Sequence, residues 1–165
     1  KLFLLVYGYG GLRWKAIKSV RPVVEAIGED NVSAAITNSG LPANNHKHFM
    51  DDLFVPIQIL TKEIELRDKL KSRGYIKIER WSGNTYDHEN SIGEQRKELE
   101  KLEKIFKQLI IESNQNNRFL ATLSLNIINQ YIEIFDSIRD DKYLDKKEKN
   151  YLLIGEGNIR IIATK

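Results

Sequence analysis

Two of the chain's three histidines, His46 and His48, stand with Asp51 and Asp52 inside the seven residues "HKHFMDD". Neutral imidazoles and a carboxylate are ligands for zinc or manganese, and a fourth, open position could activate water for attack on a phosphoester. His46, His48 and Asp52 are therefore the candidate metal ligands. Against this, the histidines fall in a polar loop or at a helix start, and on a helix positions 46 and 48 point apart. The competing reading is that of ordinary solvated histidines.

A second chemistry is offered by "LFLLVYGYGGLRWK", where an apolar run meets glycines at positions 8, 10 and 11. A strand followed by a glycine-rich loop and a helix start is the arrangement in which backbone amides hold a phosphate. The dinucleotide fingerprint needs G-x-G-x-x-G and an acid at the end of the second strand. Here Arg13 replaces the last glycine and Asn38 the acid, so the fingerprint is incomplete. What is left is Gly8, Gly10 and Gly11 beside Arg13, Lys15 and Lys18. Cations in the first turns of a helix oppose its dipole, which points to an anionic partner. Asn38 and Ser39, in the turn-rich "TNSGLPANN", would complete such a site at the rim of a parallel sheet. The plain alternative is a turn after a buried strand and an ordinary Asn-Ser-Gly turn.

The third cluster is "RDKLKSRGYIKIERW", residues 67–81, with six basic and two acidic side chains and two aromatics for stacking. Arg67, Lys69, Lys71, Arg73 and Lys77 could grip a nucleic-acid strand, although a helix followed by a strand would scatter them. Overall charge adds little: 26 basic against 23 acidic residues leave +3. The absence of cysteine excludes disulfides, thiolate nucleophiles and thiolate metal sites.

These residues must be positioned by the surrounding elements. Trp14, Ile17, Val20, Val24 and Ile27 recur at helical spacing, with Pro22 either kinking that helix or opening a second, and Gly28 stopping it. Apolar runs at 2–7, 31–37, 53–60 and 75–81 predict strands, with a helix before the last. Ser91 and Glu94 form a capping box. The helix after it carries Leu99, Leu102, Phe106 and Leu109. A second long helix carries Leu120, Leu123, Ile127, Tyr131, Ile134 and Ile138, giving a helical hairpin over 92–139. "YLLIGEGNIRIIATK" predicts a terminal β-hairpin.

The expected fold is α/β, with an open, mostly parallel, Rossmann-like sheet, a C-terminal helical hairpin and a terminal β-hairpin. Residues 1–90 form the ligand-binding core and 91–165 pack on it. The expected function is binding of a nucleotide or phosphosugar, as a transferase or ligand sensor, through the loop after the first strand. The alternatives are a nucleic-acid-binding regulatory module and a metal-dependent phosphodiesterase. The expected partner is a phosphorylated small molecule or nucleotide, with nucleic acid as the alternative, no membrane, and a homodimer where the hairpin stripe packs on a second copy. No cofactor is specified, and the expected compartment is the cytoplasm.

Overall fold

A computed structural model describes residues 3–6, 11–55, 69, 72–73, 76–80, 88–154 and 159–163, with side chains for 11–55, 69, 72–73 and 92–154. Trp14, Ile17, Val20, Val24 and Ile27 do line one face of a helix, α1 (Leu12–Ile27), and all five are buried. The helix runs through Pro22 without restarting. Gly28 ends it at φ 100°, a left-handed conformation that costs glycine least, and Glu29 then opens α2 (Glu29–Asn38).

Helix α2 occupies the stretch expected as the second strand. Val32, Ala35 and Ile36 are buried at steps of three and one, a helical face, and Glu29 and Asp30 complement the dipole in its first turn. Two adjacent alanines, the best helix formers, outweigh the β-branched residues around them. Helix α3 (Asn45–Phe54) takes in the histidine cluster and buries Phe49 and Leu53, so the first residues of the expected third strand close a helix. Residues 56–60 lie outside the described residues.

The helical hairpin is α4 (His88–Glu112) and α5 (Gln115–Arg139), joined by Ser113 and Asn114. Because α4 begins at His88, Ser91 lies within the helix and does not cap it. The stripe Leu99, Leu102, Ile105, Phe106 and Leu109 is buried as its spacing predicts. On α5 the buried face is Ala121, Ser124, Ile128, Ile132 and Phe135, one position away from the expected stripe. Leu123 and Ile134 are exposed. Small Ala121 and Ser124 are fully buried on that face, a placement that hydrophobicity alone does not reveal.

Helix α6 (Lys146–Ile154) replaces the first arm of the expected terminal hairpin. Asp145 caps it by accepting the Glu148 amide at 2.7 Å, and Leu153 and Ile154 are buried. Helix α1 packs on α5 and α3, α2 on α4 and α3, and α6 on α4, α5 and α1. Every buried apolar side chain among the described residues lies on one of these six helices, so the body of the protein is all-helical.

The β structure among the described residues is small: β1 (Phe3–Val6), β2 (Ile76–Arg80) and β3 (Ile159–Ala163) in the order β1-β3-β2. Strand β3 is antiparallel to both neighbours, in registers that include Phe3↔Ile162 and Ile78↔Ile161. The Rossmann-like expectation is overturned on both counts. The core is a helical assembly, and among the described residues no parallel strand pair supports a β-α-β crossover or a ligand rim at parallel strand ends.

Candidate functional site: an arginine, a histidine and two carboxylates

The first turn of α1, the middle of α3 and the first half of α4 bring Arg13, His48, Asp52 and Glu98 together. Along α3, His48 and Asp52 are four residues apart and share a face, with His48 Nε2 3.7 Å from Asp52 Oδ2. Arg13 Nη2 donates to Asp52 Oδ2, lies 3.0 Å from His48 Nε2 and 3.8 Å from Glu98 Oε2. Glu98 Oε2 is in turn 3.3 Å from His48 Nε2. Lys101, one turn on, stands 4.0 Å from Glu98 Oε1 and donates to Asn45 Oδ1 at 3.0 Å.

One ring nitrogen of His48 thus faces both a donor and an acceptor. Bare Nε2 accepts from Arg13; protonated Nε2 donates to Glu98. The His48 side chain is 44% exposed, whereas Arg13 is 13% exposed, so the imidazole is open to solvent and the guanidinium is set behind it. Burial pushes the Glu98 carboxyl up, but the His48 hydrogen bond and the charges of Arg13, His48 and Lys101 together outweigh it. The net position is below the ordinary glutamate range.

Asp52 is fixed from behind by Arg21, a residue the sequence reading passes over. Arg21 is buried and lies 5.2 Å above the Trp14 ring. Its Nε and Nη2 donate to the Asp52 carbonyl at 2.9 and 2.5 Å, and Nη1 donates to the Val55 carbonyl at 2.8 Å. It satisfies carbonyls at the end of α3 that have no partner inside the helix. Desolvation holds its pKa below the ordinary arginine value, against the raising effects of Asp52 and Glu25. The available signal was its position: Trp14, Ile17, Arg21 and Val24 keep the apolar helix spacing, and a cation on such a stripe demands a buried partner.

The other expected residues are placed elsewhere. His46 Nε2 meets Ser33 Oγ at 2.7 Å, on the α2 side of α3, while His48 turns to α1 and α4. Among the described residues no group of three or more metal-ligating side chains is arranged to hold an ion. His46, His48 and Asp52 are thus not gathered around one centre. Asn38 donates to Glu112 Oε1 at 2.7 Å, and buried Ser39 donates to the Ile36 carbonyl. Glu112 is fourteen residues along α4 from Glu98, about 21 Å at helical rise, so Asn38 and Ser39 stand apart from Arg13. Gly8 and Gly10 lie outside the described residues.

Gly11 is accounted for by packing. A Cβ there would lie 2.9 Å from the Leu153 carbonyl oxygen and 3.0 Å from the Ile154 carbonyl carbon, so the end of α6 rests on this glycine. Of the basic segment, Lys69 and Arg73 are exposed, with the Arg73 amide donating to the Lys69 carbonyl at 3.2 Å. Arg67 and Lys71 lie outside the described residues, as does the side chain of Lys77 in β2. No helix among the described residues is long and apolar enough to cross a membrane. Comparison with protein-family models, with curated proteins and with solved structures returns no match for the chain.

Proposed function

We propose that the protein binds a phosphorylated small molecule, a nucleotide or a phosphosugar, with Arg13 as the anion receptor and His48 as the proton-exchanging group beside it. One observation carries this reading. Arg13 meets His48, Asp52 and Glu98 through the single nitrogen Nη2, while its buried Nε has no hydrogen-bond partner. Among the described residues, no hydrogen bond or ion pair uses Nη1 either.

Guanidinium groups recognise phosphate by presenting two N–H donors in a planar fork. An unpaired buried donor is costly, and a second phosphate oxygen relieves that cost. Asp52 supplies one oxyanion in the free protein, at the position a phosphate oxygen would take. Helix α1 adds to the attraction: its N-cap, Gly11, offers no side-chain cap and its first turn holds no acid.

The test is a thermal-shift panel of inorganic phosphate, sugar phosphates, mononucleotides, dinucleotides and cyclic oligonucleotides. A ligand at 100 times its Kd stabilises by ~2.7 kcal/mol. Arg13→Ala is expected to abolish the shift and Arg13→Lys, which keeps the charge without the fork, to reduce it. A panel in which no phosphorylated compound raises Tm, or a shift undiminished in folded Arg13→Ala, overturns the proposal.

A further inference from the structure

In the free protein Arg13 already holds a carboxylate. Of the two acids at its Nη2, Asp52 accepts a hydrogen bond, whereas Glu98 Oε2 stands at 3.8 Å, beyond hydrogen-bond reach. Glu98 has other partners, with His48 Nε2 at 3.3 Å and Lys101 Nζ at 4.0 Å.

Both members of the Arg13–Asp52 pair stand against their own helix. Arg13 lies in the first turn of α1, where a cation opposes the dipole, and Asp52 lies in the last turn of α3, where an anion does. What each loses at its own helix end the other offsets. The pair is fixed on one side only: Arg21 holds the Asp52 carbonyl through Nε and Nη2, which leaves the carboxylate to turn about its side-chain bonds. The Asp52 side chain is 22% exposed, and its Oδ2 lies 3.7 Å from His48 Nε2, one helical turn back along the same face. A carboxylate leaving Arg13 thus has solvent and an imidazole to turn to, and no backbone need move.

We infer that Asp52 is an internal competitor for Arg13: a phosphate takes its place on the guanidinium, the carboxylate turns toward His48, and this exchange sets which anions the protein accepts. The inference rests on Arg13 as the anion receptor and adds the residue that competes with its ligand. A tethered carboxylate acts at an effective concentration in the millimolar range or above, so a free carboxylate of the same chemistry gains little by displacing it. A phosphate brings a further oxygen and further charge. The buried Arg13 Nε, which has no hydrogen-bond partner, gives that oxygen a donor. The class admitted is the phosphate, and the class excluded is the simple carboxylate.

The experiment is a ¹H–¹⁵N NMR titration of the full chain with inorganic phosphate and with acetate at fixed pH, following the amides of residues 12–15 and 48–52. The wild type is expected to bind phosphate and not acetate. Asp52→Asn keeps the side-chain shape and the carbonyl that Arg21 holds. It should bind phosphate about tenfold more tightly, because a charged hydrogen bond no longer has to be broken, and should acquire measurable acetate binding. Asp52→Ala should do the same. Glu98→Gln removes an equal charge from beside the same nitrogen without removing a hydrogen bond to it, and should gain less. Phosphate affinity unaltered or weakened in folded Asp52→Asn or Asp52→Ala overturns the inference. So do equal gains in Asp52→Asn and Glu98→Gln, which would reduce Asp52 to a nearby charge, and acetate binding to the wild type as tightly as phosphate. In those cases loss of phosphate binding in folded Arg13→Ala still supports the receptor. No phosphate binding in any of these proteins, or binding undiminished in Arg13→Ala, overturns the receptor and the inference with it.

Discussion

Arg21 holds Asp52 by its main chain, Nε and Nη2 both donating to the carbonyl oxygen, so that the Asp52 carboxylate is free to face Arg13. A buried arginine thus positions an acid in the cluster without belonging to it. Arg21→Ala removes three hydrogen bonds from a charged donor and the stacking on Trp14. A loss of about 3–5 kcal/mol is expected on urea unfolding, as for the breaking of other buried charged contacts. Arg21→Lys should recover only part, because an ammonium cannot span the Asp52 and Val55 carbonyls as the fork does. Equal stability of Arg21→Ala and wild type would remove this role.

Glu98 sets an expected pH dependence. Its folded pKa is held below the unfolded value, so its contribution is present above the ordinary glutamate pKa of ~4.3 and lost as pH falls through the lower folded value. The stability gap between wild type and Glu98→Gln should accordingly be constant above about pH 5 and shrink below pH ~4. Denaturant midpoints measured from pH 3 to 7 give the comparison directly, and a gap that widens toward acid contradicts the assignment.

Two glycines should respond oppositely to alanine. At Gly11 the new methyl meets the backbone of Leu153 and Ile154, neither of which can yield as a flexible side chain would, so Gly11→Ala should cost about 1–3 kcal/mol. At Gly93, inside α4, nothing lies within 4 Å, and Gly93→Ala should gain about 0.5–1 kcal/mol by restricting the unfolded chain. Thermal unfolding of the pair, with Tm moving down in one and up in the other, is the expected result.

Asn114 caps α5 by accepting the Asn117 amide at 3.0 Å. Asn114→Ala should lower stability by ~1 kcal/mol, and Asn114→Asp should retain most of it, since a carboxylate accepts the same amide and favours the helix N-terminus. Unfolding in urea distinguishes the two.

Long helices with large apolar residues were legible in the sequence: α1 with its stop at Gly28, and α4 with Leu99, Leu102, Phe106 and Leu109, follow from spacing alone. Short mixed stretches were not. "NVSAAIT" carries enough β-branched residues for a strand, and its paired alanines together with its burial against α3 and α4 decide for the helix. "YLLI" likewise reads as β until Asp145 caps a helix in front of it. The site was half legible. In the sequence, Arg13 reads as a phosphate ligand and His48 and Asp52 as metal ligands, from separate stretches of chain. Their meeting is a product of α1 packing on α3, which no local pattern encodes. Glu98 carried no signal, being one of many charged residues on an amphipathic helix. Asn38 and Ser39 fit a ligand site only at a parallel-sheet rim, and they stand instead at the end of α2.

The contact of Gly11 with Leu153 joins the beginning of the first helix to the end of the last, and β1 pairs with β3 across the same span. During synthesis, α1 cannot acquire this neighbour until α6 has left the ribosome. Local helix pairs such as α4 and α5 close short loops, whereas bringing Leu153 to Gly11 closes a far longer one and carries a greater loop entropy. A growing chain therefore presents the Gly11 end of α1 uncovered until α6 has emerged to cover it.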